Sequence, residues 1–101
     1  MSAPSGVIAV LVCLEPDLAG LETVFDLLSG QVDGLILVDN GSSNTTHVAL
    51  RNLLAQQSAG LAITPILQPR NTGLGDAQNC GIRAALDQGA RQILLLDQDS
   101  Y

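Results

Sequence analysis

The sequence predicts an α/β domain, an open and mainly parallel sheet with helices on both faces. Four short apolar runs rich in Val, Ile and Leu alternate with three longer stretches whose apolar residues recur at helical spacing. The runs are continuous rather than alternating with polar residues, the mark of strands covered on both faces, and such strands belong to parallel sheets. A hydrophobic fraction of 47% against 14% charged residues supplies the core that such a sheet needs. The 101 residues suffice for one domain.

The first strand is expected over residues 6–14, where Val7-Ile8-Ala9-Val10-Leu11-Val12-Cys13-Leu14 follow Gly6. Pro16 and Asp17 then signal a helix start, and Leu18, Leu21, Val24, Phe25 and Leu28 mark its apolar face up to Ser29-Gly30. Residues 35–38 form a second strand, stopped by Asp39-Asn40-Gly41. Thr45 or Thr46 is expected to cap the second helix, with Leu50, Leu53, Leu54 and Gln57 on one side. Residues 61–67 form a third strand, and Pro65, lacking an N–H, puts it at the edge of the sheet. A third helix over residues 75–88 closes at Gly89, and residues 92–96 make the fourth strand. Residues 1–5 are expected to be disordered, and residues 6–101 to form the domain.

Strand–helix alternation implies right-handed crossovers, and in such sheets ligands bind beyond the carboxyl ends of the strands, at the switch point. Those ends read Cys13-Leu14-Glu15, Asp39-Asn40-Gly41, Pro69-Arg70-Asn71 and Asp97-Gln98-Asp99. A net charge of −6 disfavours nucleic acid and anionic lipid surfaces as partners. With Phe25 and Tyr101 as the two aromatic residues, the chain has no platform for stacking bases. Cys13 and Cys80 sit in apolar segments without metal-site spacing and read as reduced thiols of a cytoplasmic protein. Residues 1–5 hold no Lys or Arg before the first apolar run, so neither a signal peptide nor a membrane span is expected there.

On an extended strand, Asp97 and Asp99 project to the same side. Two such carboxylates suit Mg²⁺ or Mn²⁺ with phosphate oxygens and waters completing the shell, and equally suit a solvated strand end. Asp39 is placed to accept from a base or ribose, or to make a turn before a helix. Asn71-Thr72-Gly73-Leu74-Gly75 is glycine-spaced around a helix start. It lacks the third glycine of the dinucleotide fingerprint and follows the third strand instead of the first. Gly81 inside the helix predicts close packing. His47, the single histidine, is assigned a surface position near the start of the second helix.

Taken in order, Val38-Asp39-Asn40-Gly41-Ser42-Ser43-Asn44, Asn71-x-Gly73, Ala77-Gln78-Asn79-x-Gly81-Ile82 and Leu94-Leu95-Leu96-Asp97-Gln98-Asp99-Ser100 resemble the family 2 glycosyltransferases, whose nucleotide-binding half has the GT-A fold. The resemblance runs from Val7 to Ser100, and Gln98 with Ser100 is similar to the rhamnosyltransferase branch. It implies a dTDP- or UDP-sugar donor (dTDP-L-rhamnose in that branch), a glycan acceptor and metal-assisted inverting transfer at the cytoplasmic face of a bacterial inner membrane. It also implies roles for single residues. Asp39 would contact the pyrimidine, Asn71 and Gly73 would line the nucleotide pocket, and Asp97 and Asp99 would hold Mg²⁺ or Mn²⁺, Asp99 directly. Where the family has Thr-Tyr-Asn, this chain has Cys13-Leu14-Glu15. Leu14 can still pack on a base, and Glu15 would bring a carboxylate near the diphosphate. No residue of the chain is assigned as the catalytic base, which is expected beyond Tyr101, so the isolated chain is expected to transfer no sugar. The alternative is a non-catalytic nucleotide-binding module, or one that pairs with itself as a homodimer through apolar sheet edges.

Overall fold

The computed structural model describes residues 5–57 and 60–97. Four strands, β1 (Val7–Cys13), β2 (Gly34–Asp39), β3 (Ile63–Leu67) and β4 (Gln92–Asp97), alternate with three helices, α1 (Leu18–Leu28), α2 (Asn44–Gln56) and α3 (Leu74–Asp87). The strands lie in the order β3-β2-β1-β4, every pair parallel. The chain thus winds outward from β1 through β2 to β3, then returns to place β4 on the other side of β1. Right-handed crossovers put the helices of the two windings on opposite faces. This is the predicted fold class, with β3 and its Pro65 at one edge.

The period of two along each strand divides the core. Ala9, Leu11, Cys13, Leu35 and Leu37 face α1 and α2, meeting Leu21, Val24, Phe25, Leu28 and Leu50. Ile8, Val10, Val12, Ile36 and Val38 face α3, meeting Ala77 and Ala85. Burying Phe25 alone stabilises the fold by about 1.5–3 kcal/mol. On the α3 side the contacts are small because Gly81 lies against the sheet. A Cβ there would come within 2.5 Å of Val10 Cγ1 and 3.1 Å of Val38 Cγ2. The close packing predicted at Gly81 is therefore present.

Caps explain the helix ends. Asp17 accepts from the Gly20 N–H at 3.2 Å and starts α1, as expected. Helix α2 is capped by Ser43, whose hydroxyl accepts from the Thr46 N–H, and not by Thr45 or Thr46. Gly89 follows α3 at φ +88°, the left-handed conformation that closes helices. Of the five N-terminal residues expected to be disordered, residues 1–4 lie outside the described residues. Ser5 is tied down by its N–H and hydroxyl, which donate to Asp33 at 2.7 and 2.9 Å. These bonds, with the Gly6 N–H, hold the Asp33 carboxyl below its ordinary value.

β4 departs from the pattern. Its Ile-Leu-Leu-Leu run reads as a strand covered on both faces, yet Leu94 and Leu95 are 41% and 47% exposed. β4 ends the four-stranded sheet, and α3 lies over β1 and β2 more than over β4. No helix among the described residues is long and apolar enough to cross a membrane.

Candidate functional site

The register brings the carboxyl ends of the strands to one rim. Cys13 stands opposite Asp39, Asp39 opposite Leu67, and Val12 opposite Asp97. The reversal of winding falls between β1 and β4, so the switch point opens beside Cys13 and Asp97. A pocket of about 500 Å³ lies there, lined by Val12, Cys13, Leu14, Asn40, Asn71, Leu74 and Asp97.

Beneath one wall, Asp39 is fully buried. Its Oδ1 accepts from the Ser42 N–H at 2.8 Å and lies 2.8 Å from His47 Nε2. Its Oδ2 accepts from the Ser42 hydroxyl at 2.6 Å and, more weakly, from the Cys13 thiol at 3.7 Å. A buried carboxylate needs such donors, since each lone pair left bare in the interior is costly. Burial, and then the adjacent Asp39 charge and hydrogen bond, push the Cys13 thiol up to about 12. It is therefore inert at neutral pH.

The turn after β2 and the turn after β3 form one unit. The Asn40 amide donates to Asn71 Oδ1 at 3.1 Å, and Asn40 Oδ1 accepts from the Thr72 N–H at 3.0 Å. Asn71 Oδ1 also accepts from the Gly73 N–H at 2.8 Å, which sets the entry to α3. Gly41, at φ +98°, lies so close to the neighbouring turn that a Cβ would come within 2.3 Å of the Asn71 nitrogen. This contact requires glycine. The Asp-Asn-Gly run and the Asn-x-Gly run are thus two halves of one interlock.

Glu15 sits apart from the pocket lining. Its N–H donates to Ser42 Oγ at 2.7 Å, and its carboxylate accepts from the Ser43 N–H at 2.8 Å. The Thr46 hydroxyl also donates to it, 2.8 and 3.0 Å from its two oxygens. These bonds, the Ser43 N–H foremost, hold its carboxyl below the ordinary value. Expected beside the diphosphate, Glu15 is used instead at the N-terminus of α2, where a negative charge is favoured.

Of the residues singled out from sequence, Cys13, Leu14, Asn71 and Asp97 line the pocket together. Asp39 lies behind Cys13 with its oxygens engaged, and Gly73 is the N-cap of α3, at φ +90°. Asp99 lies outside the described residues. Among the described residues no group of three His, Cys, Asp or Glu side chains could hold a metal, and Asp97 contributes one exposed carboxylate. One chain carboxylate fits a Mg²⁺-type ion that keeps its waters and takes phosphate oxygens. Sequence reasoning missed Val12, Asn40 and Leu74 in the lining and misplaced His47, which is buried against Asp39. The signal for His47 was its spacing: Leu50 and Leu54 follow at i+3 and i+7, the same side of α2.

Against known proteins, the model of glycosyl transferase family 2 matches residues 10–101. The chain belongs to that family. The dTDP-rhamnosyl transferase RfbF of Shigella flexneri is 35% identical to this chain over 96 residues, which are 95% of this chain and 30% of that protein. The chain thus spans under a third of that relative's length. No solved structure matches it significantly. Family 2 membership agrees with the parallel α/β sheet.

Proposed function

We propose that this chain is the donor-binding part of a sugar transferase, holding a dTDP- or UDP-sugar in the switch-point pocket. The observation that carries the reading is an exposed carboxylate, Asp97, on a pocket at the switch point of a family 2 fold. The relative's name supports a dTDP-rhamnose donor, dTDP-L-rhamnose in this reading, and the reading adds a glycan as acceptor. Leu14 and Leu74 offer apolar walls for a flat base, and the Asn40 and Asn71 amides offer polar groups beside it. Asp39, fully buried behind Cys13, supports the pocket wall from beneath and does not itself reach the base. The N-cap of α3, Gly73, makes no side-chain cap, so the first-turn N–H groups there suit a diphosphate.

Asp97 and Asp99 would hold Mg²⁺ or Mn²⁺. When bound, that ion supplies a counter-charge to the departing nucleoside diphosphate. Asp39 and Glu15 are held by internal hydrogen bonds, so neither is placed to deprotonate an acceptor hydroxyl. Inverting attack then needs a carboxylate base from elsewhere in the enzyme. The chain by itself is expected to bind donor without turnover. The cytoplasm, at the inner face of a bacterial membrane, is where such a donor and acceptor would meet. The open β4 end additionally favours pairing of two copies.

Titration with dTDP in Mn²⁺ tests the reading. Binding with a Kd of about 0.1–1 mM is expected, against no saturable binding of a purine diphosphate. Asp97→Asn is expected to weaken the metal-dependent binding about tenfold. Unchanged affinity in that variant, or no dTDP binding by the wild type, would overturn the assignment.

A further inference from the structure

We infer that His47 is a positioning residue of the donor pocket, holding Asn40 in place through Asp39 and the turn that follows it. The inference rests on the nucleotide reading of that pocket. His47 itself lines no part of it. Its side chain, on the first turns of α2, is 10% exposed, and Nε2 lies 2.8 Å from Asp39 Oδ1. Donation to that oxygen asks for the ring proton on Nε2.

The connection to the pocket is continuous. Oδ1 of Asp39 takes both the His47 contact and the Ser42 N–H, so the ring orientation fixes the carboxylate that shapes the 39–42 turn. That turn aims Asn40 at Asn71 and Thr72, and Gly41 against the Arg70–Asn71 backbone. Asn40 and Asn71 are two of the pocket's polar groups. Without an imidazole donor, Asp39 keeps both Ser42 contacts but has a bare lone pair in a fully buried place. The carboxylate then gains by rotating or by admitting water, and either disturbs the turn.

The test compares His47→Ala, His47→Gln and His47→Asn in the full chain. A glutamine amide reaches roughly where Nε2 stands and can donate; an asparagine amide falls short. In ligand-free protein, the Asn40 side-chain amide and the Thr72 backbone amide are expected to shift in NMR spectra of the Ala and Asn variants and to stay near wild type in Gln. Affinity for Mn²⁺-dTDP, measured well below the unfolding midpoint, is expected to fall about tenfold in Ala and Asn and under threefold in Gln. If Ala does not fold, Asn carries the same comparison. Asn40 and Thr72 signals unmoved by Ala or Asn, or equal dTDP affinity in all variants, would overturn the inference while leaving the nucleotide reading standing. Failure of the wild type to bind dTDP would overturn the nucleotide reading and this inference with it.

Discussion

Glu15 stands at φ +46°, a left-handed backbone that costs a residue bearing a side chain about 1–2 kcal/mol. The turn sustains it because the residue is anchored at both ends, its N–H on Ser42 and its carboxylate on Ser43 and Thr46. Those bonds require the ionised form and hold its carboxyl below the ordinary 4.5. Their stabilisation is complete above the unfolded-state value and fades as pH falls through the lower folded-state one. In urea unfolding, wild type is expected to exceed Glu15→Gln by a constant margin from about pH 7 to 5.5, with the margin narrowing below about pH 4.5. Asp33, lowered in the same way, is common to both proteins and cancels. A margin that persists undiminished to about pH 3 would show that the charge is not what caps α2. The sequence told that an acid stood at the end of β1 but not where it points. The left-handed turn that swings Glu15 to α2 is a backbone choice no residue type announces. Asp39 was legible as an acid at the end of β2, whereas its burial behind Cys13 depends on the register of two strands.

Within α3 two glycines on one helix separate backbone propensity from packing. At Gly75 a Cβ would meet nothing within 4 Å, while at Gly81 it would meet Val10 and Val38. Alanine gains helix propensity at both, at most about 0.5–1 kcal/mol each. At Gly81 the overlap must be relieved by moving α3 off the sheet, which costs about 1–3 kcal/mol. Urea unfolding is therefore expected to show Gly75→Ala stabilised by about 0.5 kcal/mol and Gly81→Ala destabilised by about 1–2 kcal/mol. Equal signs at the two positions would mean that α3 does not pack as closely as the structure has it. The element order was readable from periodicity, and Gly81 from its place inside a helical pattern. The α2 cap was not, because Ser42, Ser43, Asn44, Thr45 and Thr46 are all able to cap. Ser43 is left the role because the Ser42 hydroxyl is already committed to Asp39 and Glu15.

Across the whole molecule the two edges of the sheet differ in kind. At the β3 edge, Pro65 removes a ladder donor and so discourages a further strand. At the β4 edge no charge interrupts Ile93-Leu94-Leu95-Leu96, and Leu94 and Leu95 project exposed from opposite faces. On the α1 side a groove of about 330 Å³ continues this apolar surface, lined by Leu11, Val24, Leu27, Leu28 and Leu96. The run was legible as a strand; its exposure was not, since the same letters serve a central strand or an open one. An unblocked edge with apolar residues on both faces pairs readily with another edge like itself. Sedimentation is therefore expected to show a monomer–dimer equilibrium across about 10 µM to 1 mM, with Leu95→Lys shifted to monomer at unchanged circular dichroism. Leu95 stands opposite Val10 of β1 but is half exposed, so loss of the dimer at unchanged circular dichroism would report on the edge and not on the core. A strict monomer over that range would show that twist or side-chain cover already protects β4, and the self-pairing reading would fall.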